Sequence, residues 1–237
     1  TTYAASQTFT LPTIPRASSV SCSTANIGSS ATITINRAST SFTHTLTYSF
    51  GSLSGTIATK TSSTNISWTL PTTFYGQIPN SKSGTGTITC QTYNGSSLIG
   101  SKSTSFTATV NESASKPTLS PTVRDSNTTT TALTGNSSKF IKYYSNASVA
   151  TGAKARNSAT LKSQKITCGA KSITSASGTI NAVESGSFTF SATDSRGYTT
   201  TQTVNKTLID YIKLTCSMEA GAPTTAGVAT LKISGNY

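Results

Sequence analysis

Acidic side chains are almost missing from the first half of this chain. Of the six carboxylates in 237 residues, none precedes Glu112, and the single histidine is His44. Residues 1–110 therefore hold no pair of catalytic carboxylates, no Ser-His-Asp triad and no carboxylate-based calcium site. His44 precedes an alternating strand pattern, so we expect it to be solvated or at a sheet edge. We predict that the protein is not an enzyme and uses no cofactor.

Charged residues of either sign are scarce, and basic residues outnumber acidic ones. Charged residues make up 10% of the chain, with 18 Lys and Arg giving a net charge of +12, whereas Ser and Thr number 90. The positive charge is open to two interpretations, namely simple solubility or steering toward anionic polymers such as wall teichoic acids. The arginines lack the interleaved aromatic residues typical of single-strand nucleic-acid grooves, so the pattern disfavours a nucleic-acid partner.

Cysteines and long apolar runs are also few. Four cysteines lie far apart, without a C-x-x-C pair that would indicate zinc. Two alternatives stay open: a disulfide between Cys22 and Cys90 within one sandwich, or reduced and buried thiols throughout. No apolar run approaches the ~20 residues of a membrane-spanning helix, so we predict no membrane span.

Alternating strand patterns fill much of the remaining sequence. In Ile66-Ser-Trp-Thr-Leu70, apolar and polar residues alternate as in a half-buried strand, and Asn94-Gly95 is a strong hairpin signal. Helical periodicity is weak, and abundant Ser and Thr disfavour helix interiors. The sequence therefore predicts an all-β protein of tandem immunoglobulin-like β-sandwiches. Its predicted core residues include Trp68, Ile88, Phe106, Phe188 and Phe190.

Turn and linker signals divide the chain into repeated units. Gly197 in the turn Asp-Ser-Arg-Gly follows Gly95 by 102 residues, the spacing of tandem domains of similar size. We predict a lead-in strand or the end of a preceding domain at 1–12, one sandwich at 13–110 and a second at 111–210. Leu214-Thr-Cys-Ser217 repeats the pattern of Val20-Ser-Cys-Ser23, which predicts an incomplete third unit at 211–237.

Exposed aromatic residues are the candidate ligand contacts. Trp68, Phe74 and Tyr75 could form a sugar platform, although an alternating apolar face is more typical of core. Tyr143 and Tyr144 are adjacent, so in a strand they point to opposite faces and one of them must point outward. We interpret this pair as a candidate carbohydrate contact, and the ligand itself stays unknown.

An ordered series of short motifs resembles a known family. The motifs are Trp68-x-Leu-Pro71, Gln77-Ile-Pro-Asn80, Gly84-Thr-Gly-Thr-Ile-Thr89, Thr92-Tyr-Asn-Gly95, Ile99-Gly-Ser-Lys102 and Thr193-Asp-Ser-Arg-Gly197. Together they resemble tail proteins of siphophages that infect Gram-positive bacteria, a family long described as of unknown function.

The resemblance implies a virion protein of the distal tail, assembled in the host cytoplasm and carrying no catalytic motif. It implies other tail proteins and further copies of the chain as partners. As spacer or adhesin, such a protein has host cell-wall polysaccharide or teichoic acid as its candidate ligand. The alternative interpretation is a bacterial cell-surface adhesin module that binds wall glycans.

Overall fold

The computed structural model of the chain describes residues 16–211, 215–220 and 231–236. The chain forms two compact units of β-structure. The first contains the chain up to Lys116 together with Ala155–Thr160 and Asp194–Tyr198, and the second contains Pro117–Lys154, Leu161–Thr193 and the residues from Thr199 onward. The predicted lead-in strand at 1–12 lies outside the described residues. Among the helices described, none has the length and apolar character needed to cross a membrane.

The first unit is a sandwich of two sheets. Its strands are β1 (Ser19–Cys22), β2 (Ala25–Asn26), β3 (Ser30–Asn36), β4 (Phe42–Phe50), β5 (Leu53–Thr61), β6 (Asn65–Thr69), β7 (Ser83–Asn94) and β8 (Ser97–Thr109). One sheet has the order β1-β3-β6 and the other β2-β8-β7-β4-β5. The short β2 runs parallel to β8, and the other pairs are antiparallel. This is an immunoglobulin-like strand order, which confirms the predicted fold class.

The inner faces of both sheets supply one aromatic core. Trp68, Ile88 and Phe106 are all buried, as is Phe74 of the 3₁₀ helix Thr72–Gln77. The Trp68 and Phe106 rings meet edge to face at 5.1 Å between centroids, and Phe50 stacks on Phe74 at 4.3 Å. These are the geometries that aromatic quadrupoles favour. Trp68, Phe74 and Tyr75 are therefore core residues and do not form a sugar platform.

The cysteines of the first unit are free thiols. Cys22 is partly buried and Cys90 is fully buried, and no disulfide joins them. Burial disfavours the charged thiolate and raises the pKa of Cys90 to about 11, against a weaker opposing effect of Thr92. The alternative of a Cys22–Cys90 disulfide is therefore wrong, and the three cysteines whose side chains the structure describes, Cys22, Cys90 and Cys168, are free thiols.

His44 is a core residue, contrary to the expectation of a solvated or edge position. Its strand β4 lies between β5 and β7, so the side chain is fully buried. The Ser18 hydroxyl hydrogen-bonds to His44 Nε2 at 2.9 Å. Burial is the largest cause that lowers the pKa of His44, the charge of Arg37 adds to it, and the nearby Thr61 backbone opposes it.

A lowered histidine pKa makes the first unit less stable in acid. The unfolded chain binds a proton near the ordinary value of 6.5 while folded His44 stays neutral, so stability present above that pH is lost as the pH falls. We expect the free energy of unfolding to fall as the pH drops below about 6.5, with a slope of up to about 1.4 kcal/mol per pH unit. Fluorescence of Trp68, the single tryptophan, measures this unit alone.

The His44→Gln variant is the control for that slope. Because the chain has one histidine, the variant should have a nearly flat stability profile over the same pH range. If the free energy of unfolding of His44→Gln depends on pH as steeply as that of the unchanged protein, the proton taken up on unfolding belongs to another group.

Residues Asp194–Tyr198 complete the core of the first unit. Asp194 Oδ1 accepts hydrogen bonds from the backbone N–H of Arg196 at 3.0 Å and of Tyr198 at 2.9 Å, which is the predicted turn-forming role. Gly197 takes a φ of +85°, as this turn requires. Tyr198 is buried in the aromatic core and donates its hydroxyl to the Val110 carbonyl at 3.0 Å.

Arg196 is the buried centre of this turn. Its guanidinium donates to four backbone carbonyls: Ile78 at 3.2 Å, Tyr75 at 3.3 Å, Asn157 at 2.6 Å and Arg156 at 3.4 Å. Burial lowers the pKa of Arg196, against the raising effect of the nearby Asp194. One planar group thus satisfies carbonyls of the 3₁₀ helix region and of residues 155–160 together.

The second unit is a second, smaller sandwich. Its strands are β9 (Thr122–Asp125), β10 (Lys139–Ile141), β11 (Ala147–Ala150), β12 (Leu161–Cys168), β13 (Lys171–Ile173), β14 (Ser177–Ile180), β15 (Ser187–Asp194), β16 (Thr199–Asn205) and β17 (Thr207–Ile209). One sheet has the order β14-β11-β9 and the other β13-β12-β15-β16, while β10 and β17 form a separate parallel pair. Two short helices, α1 (Glu112–Ser115) in the first unit and α2 (Thr128–Thr134) in the second, complete the secondary structure.

Phenylalanines fill the core of the second unit. Phe188 and Phe190 of β15 are fully buried together with Phe140 of β10 and Ile166 of β12. The rings of Phe140 and Phe188 lie 5.5 Å apart. The alternating pattern of β15 thus places its apolar residues inward and its hydroxyls outward, as the sequence predicts.

Two further strands lie near the end of the chain. β18 (Thr215–Ala220) and β19 (Leu231–Asn236) pair antiparallel, with Cys216 opposite Gly235. In the first unit β1 pairs antiparallel with β3, so both segments of the proposed repeat form a two-stranded ladder. Residues 212–214, 221–230 and 237 of the predicted third unit lie outside the described residues. The predicted domain boundaries stay predictions.

Candidate functional site

The second unit carries a groove lined by two tyrosines. The groove has a volume of 420 Å³ and is lined by Asn127, Thr129, Thr130, Leu133, Ile141, Tyr144 and Tyr211, which we call the tyrosine groove. This size falls in the range of about 300–1,000 Å³ that is usual for small-ligand sites. Leu133 is 75% exposed, Tyr144 46% and Tyr211 41%, so large apolar surfaces face solvent together.

Parallel pairing of β10 and β17 brings the two tyrosines together. Ile141 is the register partner of Ile209, and the Lys142 backbone N–H donates to the Ile209 carbonyl at 3.0 Å. The chain segments that leave these two strands therefore start side by side. As a result the rings of Tyr144 and Tyr211 lie 4.3 Å apart at an interplanar angle of 57°.

Asn127 joins the tyrosine turn to helix α2. Its side-chain oxygen caps the helix by accepting from the backbone N–H of Thr129 at 3.0 Å, while its side-chain nitrogen donates to the Tyr144 carbonyl at 2.8 Å. The helix ends at Gly135, whose φ of +63° lets its N–H donate to the Thr131 carbonyl. One side chain thus connects helix α2 to the turn that carries Tyr144, and both line the tyrosine groove.

The buried carboxylate of Asp125 connects helix α2 to the residues that follow Tyr144. It is 5% exposed and accepts four hydrogen bonds. Oδ2 accepts from the Thr130 hydroxyl at 2.5 Å and from the Ser145 hydroxyl at 2.6 Å, and Oδ1 accepts from the backbone N–H of Asn127 at 3.0 Å and of Asn146 at 3.3 Å. All four partners are donors, so an acceptor-only carboxylate suits the position.

The lining of the tyrosine groove is neutral, partly apolar and partly polar. Two phenol rings with Leu133 and Ile141 offer apolar faces, and Asn127 and Thr129 lie at the polar side. None of the seven lining residues carries a charge. A sugar ring matches this surface because its C–H face packs on an aromatic ring while its hydroxyls reach amide and hydroxyl groups.

The predicted tyrosine pair is only partly brought into the groove. Tyr144 lines it, whereas the 54% exposed Tyr143 does not and adopts a φ of +67°. The prediction that the two residues lie on opposite faces of a strand is wrong, because β10 ends at Ile141 and both tyrosines lie in the following turn. The turn is closed by hydrogen bonds from the N–H groups of Tyr144 and Ser145 to the Ile141 carbonyl.

Sequence reasoning missed the other side of the site. Tyr211 lies in the segment assigned to a third unit, and helix α2 begins with a run of four threonines that gives no apolar stripe. Asn127 and Gly135 were the available signals, since an asparagine cap and a glycine end are typical of a short helix.

Metal-ligating side chains do not gather at this groove. Across the described residues, no three His, Cys, Asp or Glu side chains come together in a way that would hold a metal ion. The groove residues are hydroxyls, one amide and apolar groups, which suit an uncharged organic ligand.

Solved structures similar to this chain have low sequence identity to it. The mouse nectin-like molecule 4 full ectodomain (Ig1-Ig3) is 12% identical with a TM-score of 0.30. That match covers 83% of this chain and 65% of the ectodomain chain. Escherichia coli alpha-2-macroglobulin is 10% identical at a TM-score of 0.28, with coverage of 93% and 24%. Sidekick-1 immunoglobulin domains 1-5 are 10% identical at 0.26, with coverage of 79% and 37%.

The chain thus spans less than two thirds of each of these structures. Because the TM-scores are low, the fold assignment rests on the strand order within each unit. No curated protein matches the chain. A family model described as a siphovirus protein of unknown function matches residues 1–236. The chain belongs to this siphovirus protein family, DUF859.

Proposed function

We propose that this protein is a non-enzymatic structural protein of the phage tail that acts as a spacer and attaches to host cell-wall polysaccharide. The tyrosine groove is the observation that supports attachment. Its two exposed phenol rings lie 4.3 Å apart, and a buried carboxylate network fixes the turn that carries Tyr144, although burying the rings would be favourable in a protein without a partner. Such a preorganised, uncharged surface fits a neutral sugar.

The spacer role draws on the two sandwich cores. Each unit closes its own aromatic and aliphatic core, and the outward positions of its strands are mostly Ser and Thr. Each unit thus has a buried core of its own, as a self-supporting spacer module requires. In an oligomer of such chains, weak sugar contacts would be strengthened by multivalency.

The tyrosine rings should account for the binding of host walls. We expect Tyr144→Ala and Tyr211→Ala each to weaken binding to purified Gram-positive cell walls about tenfold, because each removes an aromatic face worth about 1.4 kcal/mol. Binding is measured by sedimentation with walls from which teichoic acid has been stripped, so that neutral polysaccharide is the remaining ligand.

The adjacent Tyr143 supplies the matched control. Tyr143→Ala removes the same side chain from an exposed position outside the groove, so wall binding should stay within about twofold of the unchanged protein. Equal losses of wall binding in Tyr143→Ala and Tyr144→Ala would refute the role of the groove in binding. If the unchanged protein does not bind walls at all, only the spacer role would be left.

A further inference from the structure

A second groove, on the first unit, collects positive charge. It has a volume of 380 Å³ and is lined by Arg16, Ala17, Ser18, Ser19, Asn36, Arg37, Ala38 and Lys102, which we call the cationic groove. Three of the eight lining residues are cations and none is acidic. The lining is mostly polar, unlike that of the tyrosine groove.

Strand pairing builds the cationic groove. Ser19 of β1 is the register partner of Asn36 of β3, which brings the residues before β1 beside those after β3. The Ser18 backbone N–H donates to the Thr92 hydroxyl at 2.9 Å and fixes this segment on the sheet that contains Lys102. A Cβ atom at Gly100 would lie 3.3 Å from that of Ala17, so the two segments approach closely.

Within the part of the chain that the structure describes, none of the three cations forms an ion pair. Residues 16–110 contain no carboxylate, and the ion pairs formed within the described residues, Lys142–Asp210 and Lys171–Glu184, both lie in the second unit. Arg37 donates to the Ser62 carbonyl at 2.8 Å, which orients its guanidinium without neutralising it. Its charge also contributes to the lowered pKa of His44. Like charges gathered in this way repel one another, and a bound anion relieves that repulsion.

We propose that the cationic groove binds the phosphate groups of a phosphodiester polymer whose repeating unit is a polyol or sugar. Two guanidinium groups offer forked N–H donors to phosphate oxygens, Lys102 adds a point charge, and Ser19 and Asn36 add neutral donors. None of the lining residues is aromatic, so the groove offers nothing on which nucleobases stack. That the polymer comes from the host cell wall rests on the proposed function. That the groove binds phosphate groups rests only on its own residues.

Two charge-matched double variants test the proposal. Arg16→Gln with Lys102→Gln removes two cations from the cationic groove, and Lys60→Gln with Lys82→Gln removes two cations of the same unit that do not line it. Both variants have the same net charge, so general electrostatic steering falls equally in the two. The probes are poly(glycerol phosphate) and single-stranded DNA, each titrated calorimetrically against the full chain.

We expect the groove variant to bind poly(glycerol phosphate) at least about tenfold more weakly than the unchanged protein, and the control variant to lose no more than about threefold. Equal losses in both variants would show nonspecific attraction and overturn the proposal. DNA binding as tight as polymer binding and lost only in the groove variant would overturn the choice of polymer. Unchanged thermal melting of both variants checks that they are folded.

The proposals for the two grooves can be refuted independently of each other. Walls stripped of teichoic acid keep their neutral sugars and lose most phosphodiester, so the tyrosine variants should still reduce binding there while the cationic-groove variant has no further effect. On intact walls, weaker binding of the cationic-groove variant with no loss in the tyrosine variants would support the cationic groove and contradict the tyrosine groove.

Discussion

Asp125→Ala is expected to destabilise the second unit by about 3 kcal/mol. The substitution leaves two hydroxyls and two backbone N–H groups without their buried acceptor, and each such loss costs about 1 kcal/mol or more. Labelling of the buried Cys168 thiol, read by mass spectrometry across a urea series, reports unfolding of this unit. Because Ser145 and Asn127 also shape the tyrosine turn, wall binding should fall with stability.

Asp210 is the control for Asp125. Its side chain is 83% exposed and forms an ion pair with Lys142 at 3.3 Å, so Asp210→Ala should change stability by less than about 1 kcal/mol. Asp125→Asn keeps the shape but offers one acceptor oxygen where the site uses two, so we expect an intermediate loss. A stability change in Asp125→Ala no larger than that of Asp210→Ala would refute the role given to this carboxylate.

Arg196→Met should destabilise the first unit by about 3 kcal/mol. Methionine retains the length of the side chain but offers no donor, so the buried carbonyls of Tyr75, Ile78 and Asn157 lose their partner. Arg196→Lys retains the charge and still loses most of the contacts, because an ammonium group cannot reach carbonyls arranged around a planar fork. Trp68 fluorescence during urea unfolding measures the effect in this unit.

An exposed arginine of the same unit provides the comparison. Arg156→Met alters a side chain on the surface, and we expect a change within about 0.5 kcal/mol. If Arg196→Met and Arg156→Met shift the Trp68 transition equally, the buried guanidinium contributes nothing specific to the unit.

Local patterns were enough to predict the fold class. Strand alternation around Trp68 and the hairpin signal at Asn94-Gly95 correspond to β6 and to the β7–β8 hairpin, and Asp194 to Gly197 form the predicted turn. These features depend on neighbours within a few residues, for which periodicity and turn chemistry carry the information.

The tyrosine groove depends on contacts that local patterns do not contain. Tyr144 and Tyr211 meet because β10 pairs in parallel with β17, and parallel pairing needs a long connection whose register leaves no local signal. The burial of His44 has a similar origin, since an alternating strand does not reveal that it will lie between two others. The free Cys22 and Cys90 likewise depend on which strands face each other.

The location of the protein on the virus particle tests the account most directly. Antibodies raised against the purified chain, coupled to gold and applied to intact siphovirus particles of this family, show by electron microscopy where the protein lies. The account predicts gold on the tail, and wall fragments added beforehand should reduce the labelling. Gold confined to the capsid, or its absence from particles that contain the protein by mass spectrometry, would contradict it.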